Sequence, residues 1–249
     1  FFGTGIVATS EDFGIMGENP THPELLDWLA IRFREDNWDV KSFFKTLVMS
    51  AAYQQESTIT PEELEIDRDN RYLARGPRYR LDGEILRDKV LFVSGSLNSA
   101  IGGPPVKPYQ PEGIWNAVAY SDSNTAHFFR DSGGALYRRS LYTFWKRTAP
   151  PPNMVVFDVP SRENCNVRRE RTNTPLQALT LMNDPQFVEA ARQLAERVLT
   201  HHGGSVGERI SKMYAYAFGN MPKDKHKKIL ERSYRKFQSS FIEGRSDAK

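Results

Sequence analysis

Four helix starts written in one pattern punctuate this chain, and they constrain its fold more than any other feature. Thr21-His22-Pro23, Thr60-Pro61, Thr174-Pro175 and Asp184-Pro185 each place a side-chain oxygen just before a proline. Proline's missing N–H falls among the first-turn amides that have no intrahelical partner, and the preceding oxygen caps another of them. Glu24, Glu63 and Gln177 stand three residues after Thr21, Thr60 and Thr174, the spacing of a capping box. Leu25, Leu26, Trp28, Leu29 and Phe33 then recur at helical intervals, as do Val40, Phe43, Phe44, Leu47, Val48 and Ala51 after Asp39. The spacing predicts a helical pair there, and further helices over about 82–98, 185–199, 206–218 and 223–241. Gly219-Asn220-Met221-Pro222 separates the last two.

The middle of the chain reads differently. Gly102-Gly103-Pro104-Pro105, Pro108, Pro111 and Pro150-Pro151-Pro152 bar regular helix. Residues 136–147 are rich in aromatic and strand-favouring side chains without helical periodicity, which predicts an extended element paired with Val155-Val156-Phe157. The expected class is therefore mainly α: a multi-helix domain with long Pro/Gly-rich irregular segments and a small β element near 136–157. Residues 1–200 are expected to form the main helical domain around the central Arg- and aromatic-rich segment. Residues 205–249 are expected to add a helical pair packed on the same domain.

With 249 residues, 39% of them hydrophobic, the chain can bury a substantial core. No apolar run approaches the roughly 18–20 residues of a membrane span, Lys45 and Ser94 breaking the longest candidates. Cys165 is the only cysteine, which excludes an internal disulfide, a paired-thiol zinc site and a c-type haem attachment motif. Charge is segregated: residues 1–70 hold 14 acidic and 5 basic side chains, and residues 71–180 hold 9 and 16. Adjacent blocks of opposite sign are expected to pack together, Arg forks of the middle on acids such as Glu11, Asp12 and Glu18. That reading leaves no free basic face, so no nucleic-acid partner is expected. The chain opens Phe1-Phe2-Gly3 without an initiator Met and reads as a fragment of a larger protein.

Three blocks carry a family resemblance. Gly5 to Ala30 (GIVATSEDFGIMGENPTHPELLDWLA), Leu136 to Pro152 (LYRRSLYTFWKRTAPPP), and Arg168 to Leu179 with Met182 to Arg192 resemble, in this order, the domain of unknown function numbered 1553, abundant in planctomycetes. The resemblance covers nearly the whole chain. It implies a C-terminal module of a large exported protein, hence an extracytoplasmic setting, periplasmic or cell surface. It also implies other domains of the same polypeptide as partners, among them an upstream cytochrome c-like domain that would carry haem c; no cofactor is expected in this chain. The family supplies no catalytic residue to carry over.

The residues themselves offer few chemical constellations. Asp12 and His22, with Glu11 and Glu24 nearby, form the densest group of acid/base or ligand side chains, and Asp158 and Glu163 are further acid/base candidates. Capping and turn roles compete at each: His22 and Glu24 lie inside a capping box, and Asp12 precedes Gly14. His201-His202 reads as a helix C-terminal cap, and no metal site is expected. Cys165 has arginines around it that favour thiolate but no nearby base. The binding candidates are Tyr109, Trp115, Tyr137, Arg138, Arg139, Tyr142, Trp145, Lys146 and Arg147, rings and cations in non-helical chain. Rings stack on sugar faces and Arg forks grip anionic groups, so polysaccharide is the expected ligand if these side chains face outward; packing of the rings in a core explains the same set without a ligand. Two function classes follow: a noncatalytic binding or scaffolding module, or a hydrolase or oxidoreductase acting on polysaccharide. The lack of a complete catalytic constellation favours the first.

Overall fold

The computed structural model describes residues 1–120 and 122–246. Ten α-helices stand among them, with almost no strand, so the protein is mainly α. The described residues divide into two compact units, residues 1–81 with 165–170, and residues 82–164 with those from 171 on.

The first unit holds α1 (Pro23–Glu35), α2 (Val40–Val48) and α3 (Pro61–Ile66). Left-handed backbone at Asn37 and Trp38 turns the chain between α1 and α2. Asp39 then caps α2 by accepting from the amides of Lys41 and Ser42 at 3.0 and 3.1 Å. Phe33 joins the two helices through ring contacts with Trp38 and Phe43 at 5.1 and 4.9 Å. Thr60 and Glu63 form the expected capping box on α3. The box expected at Thr21 does not form: α1 starts one residue later, with His22 as its cap residue, and the Thr21 hydroxyl bonds the Ile6 carbonyl instead.

The second unit runs through α4 (Gly83–Ser94), α5 (Ile114–Ala117), α6 (Pro152–Val155), α7 (Pro175–Asn183), α8 (Pro185–His201), α9 (Val206–Phe218) and α10 (Asp224–Ser246). α8 is its centre and packs against α4, α7 and α9, while α10 packs on α9. Leu91, Trp115, Met154, Phe187, Ala190, Val198 and Ile210 form the buried apolar core. Gly83 lets α4 start hard against Phe157 and Val159, where a Cβ would collide with both side chains. Asp184 caps α8, as its Pro185 neighbour predicts. Thr174 lends α7 no side-chain cap: the Gln177 amide bonds the Thr174 carbonyl instead, and the Gln177 side chain is turned to the Val156 carbonyl and the Thr172 hydroxyl.

The β element of the middle segment consists of two isolated parallel bridges, Asn98 with Arg138 and Val106 with Thr143. Residues 155–157 are not the partner. Pro152, at the first position of α6, favours helix there, and Met154 and Val155 are drawn into it. Short 3-10 turns at Gly133–Tyr137 and Ser140–Tyr142 interrupt the expected strand.

Candidate functional site

The Arg- and aromatic-rich segment is held in place by two consecutive residues of α4. Arg87, 3% exposed, donates to the carbonyls of Arg138 and Leu136 at 2.8 and 2.9 Å, and also to the Ser140 hydroxyl and the Gln186 side chain. Burial pulls its pKa down to about 10, partly opposed by the nearby carboxylates of Asp88 and Asp184. Asp88 accepts from the Ser140 amide at 2.6 Å and pairs with Arg139 at 3.5 Å. A guanidinium that satisfies several carbonyls at once substitutes for the ladder this irregular chain lacks.

Arg138 works in the opposite direction. It is buried, donates to the carbonyls of Ala100, Gly102 and Pro104, and lies over the Tyr142 ring at 3.8 Å. The Tyr142 hydroxyl accepts from the Gly102 amide at 2.7 Å. Together they close the Gly102-Gly103-Pro104-Pro105 loop. Trp115, 1% exposed, is the aromatic centre of the segment. Phe128 and Phe144 pack on it at 5.2 and 5.5 Å, and the ammonium groups of Lys146 and Lys107 sit over its ring at 4.9 and 5.5 Å.

Tyr109 and Tyr137 converge on Glu189 of α8, each hydroxyl donating to one carboxylate oxygen, at 2.9 and 2.8 Å. Arg130 stacks on Tyr109 at 4.8 Å. Burial, then the bond to Glu189, pushes both phenol pKa values above 10, because ionising either ring would set two negative charges together. Trp145 is half-buried; its indole N–H donates to the Ser161 carbonyl at 3.1 Å and Arg162 stacks on its ring at 4.5 Å. Arg147 and Glu163 form an exposed pair at 3.3 Å.

The acid/base candidates are engaged locally. Asp12 accepts from the Gly14 amide at 2.8 Å in an Asx turn, and His22 shares a hydrogen bond with the Thr21 hydroxyl at 2.9 Å. Asp158, in left-handed backbone, accepts from the Thr172 amide and hydroxyl at 2.7 and 2.9 Å. His201 bonds the Arg197 carbonyl and His202 the Tyr216 hydroxyl, at 2.9 and 3.0 Å. Cys165 is exposed. Within the first unit, Glu18 pairs with Arg71 at 3.3 Å, one instance of the expected acid–Arg matching. Among the described residues, no three His, Cys, Asp or Glu side chains group as metal ligands.

Sequence reading alone misses Arg87, Gln186, Glu189 and Arg162, all of which hold the candidate residues in position. The available signal is on α8: Gln186, Glu189 and Gln193 follow at three- and four-residue steps beside Phe187 and Ala190, placing polar groups along the inward side of a packed helix. Such groups must find partners, and here the partners are Tyr109, Tyr137 and Arg87.

Comparison with known proteins gives a family. The chain belongs to the family described as a protein of unknown function, DUF1553 (PSD1), whose sequence model matches residues 1–234. The blocks at 5–30, 136–152 and 168–192 all lie inside that match. No curated protein and no solved structure matches the chain.

Proposed function

We propose that this chain is a noncatalytic binding module of an exported multidomain protein, and that its ligand is a polysaccharide met at Trp145, Arg162, Arg139 and Arg147. The carrying observation is how the rings and cations of the middle segment divide. Trp115, Arg138 and Tyr142 are committed to packing and loop closure, while the Trp145–Arg162 stack and the exposed Arg139 and Arg147 keep contact with solvent. A half-buried indole beside guanidinium groups suits a sugar face carrying carboxylate or sulfate substituents. The extracytoplasmic setting, with a haem-carrying domain elsewhere in the polypeptide, rests on the family resemblance.

A screen of neutral and anionic polysaccharides tests this. Trp145→Ala is expected to weaken binding to anionic polymers by at least about fivefold, with added salt weakening it further as exposed charges are screened. Circular dichroism melting of the same variant separates lost binding from lost fold. Binding unchanged in a folded Trp145→Ala protein would sink the proposal.

The left-handed backbone at Asp158 favours a second reading, because such conformations gather at catalytic positions. A hydrolase reading requires the wild type to release reducing ends from the polymer it binds and Asp158→Asn to stop the release. The binding-module reading expects no release from either.

A further inference from the structure

The two C-terminal helices are of unequal length, and the excess has its own chemistry. α9 has 13 residues and α10 has 23, about 20 and 35 Å at the usual rise. Their register is set by two contacts: Tyr214 lies beside His226 with ring centres 6.1 Å apart, and the bare face of Gly207 is closed by Lys227 and Glu231. The helices therefore run antiparallel, and α9 begins opposite the turn around residue 232. α10 continues for roughly four more turns, to Ser246. The family match ends at residue 234, where α10 outruns its partner.

From residue 228 to 242, α10 is amphipathic. Leu230, Tyr234 and Phe237 follow four- and three-residue steps along one face, and Phe241 continues the row. Phe237 is 73% exposed and Tyr234 41%. Lys228, Arg232, Arg235 and Lys236 fall about 140° to 240° round the helix from Leu230, and all four are exposed. An apolar face with phenylalanine, backed by a cationic one, is the pattern of a helix that lies in a lipid headgroup layer. A second copy fits less well. The row past α9 is shorter than the three to four heptads a coiled coil needs, and pairing two such stubs would bury far less than the roughly 1,200 Å² of a stable interface.

We propose that the α10 extension is an in-plane anchor for an anionic lipid surface, Tyr234 and Phe237 entering the headgroup layer and the Lys/Arg face drawing in the negative lipid. The test is flotation of the full chain with phosphatidylcholine vesicles and with vesicles containing about one-third phosphatidylglycerol. The expected result is at least tenfold more chain floated by the anionic vesicles, a loss of most of that excess in 0.5 M salt or in Arg235→Glu/Lys236→Glu, and a similar loss in Tyr234→Ser/Phe237→Ser. Unchanged helicity by circular dichroism in both variants shows that the readout is binding. Equal flotation by the two vesicle types, or flotation that survives Tyr234→Ser/Phe237→Ser, overturns the proposal. So does a concentration-dependent dimer in sedimentation that this variant abolishes, which would assign the face to a second copy.

Discussion

At the residue scale, a few buried polar side chains decide how the middle segment lies. Arg87 is the clearest case: its donors satisfy the carbonyls of Leu136 and Arg138 and the Gln186 amide oxygen. Arg87→Leu orphans those acceptors and is expected to cost about 3 kcal/mol, each unmet buried group costing about 1–3 kcal/mol. Urea unfolding measures this, and a loss under about 1 kcal/mol would show that the segment is held by other contacts. The phenols of Tyr109 and Tyr137 give a pH signature. Their folded pKa values lie above 10, so the stability gained by keeping them neutral is complete below pH 10 and is lost as pH rises through the folded values. Absorbance titration of phenolate is expected to show two late-ionising tyrosines that move back toward 10 in Glu189→Gln. Titration curves that superpose for wild type and variant would contradict the Glu189 contribution.

At the element scale, caps separate what a local pattern can do from what neighbours allow. Thr60 and Asp184 cap as their sequence predicts, each accepting from a first-turn amide of its helix. Thr21 and Thr174 do not: the Ile6 carbonyl takes the first hydroxyl, and Gln177, which the second box needed, is drawn off to Val156. α9 carries a complete box, Ser205 with Glu208, although no proline advertises it. The Ser205 amide and hydroxyl donate to the Glu208 carboxylate and hold its pKa below the usual 4.5. This group's stabilisation is therefore present above pH 4.5 and lost as pH falls through the folded value. Ser205→Ala is expected to cost about 1 kcal/mol. Glu208→Gln is expected to flatten the acid limb of the stability curve, measured by thermal melts between pH 3 and 6. An acid limb identical to wild type would mean that other carboxylates dominate it.

At the scale of the whole molecule, the two units differ in what holds them. The buried apolar side chains among the described residues all lie in the second unit, from Leu91 to Ile210. The helices of the first unit bury none of their residues and rely on ring contacts and on loops such as the one in which Arg75 bonds the Asp67 and Arg68 carbonyls. Local stability follows buried apolar contact, so amides of α1 and α2 are expected to exchange with deuterium at least about tenfold faster than those of α4 and α8. Equal protection in the two units would show that they open as one.

The sequence by itself determined the helical class, the near-complete list of long helices and the family, because helix periodicity, Pro-coded starts and long contiguous blocks are local and survive without tertiary information. It also marked the rings and cations of 109–147 as the segment of interest. Only the tertiary structure decided which of them face inward. Trp115 and Arg138 read from sequence no differently from Trp145 and Arg147, yet the first two are buried and Arg147 is exposed. The physical reason is that an irregular chain has no period to reveal its inner face. Its path is set by partners distant in sequence, Arg87 about fifty residues before it and Glu189 about fifty after, whose hydrogen bonds replace those that a helix or sheet would have made.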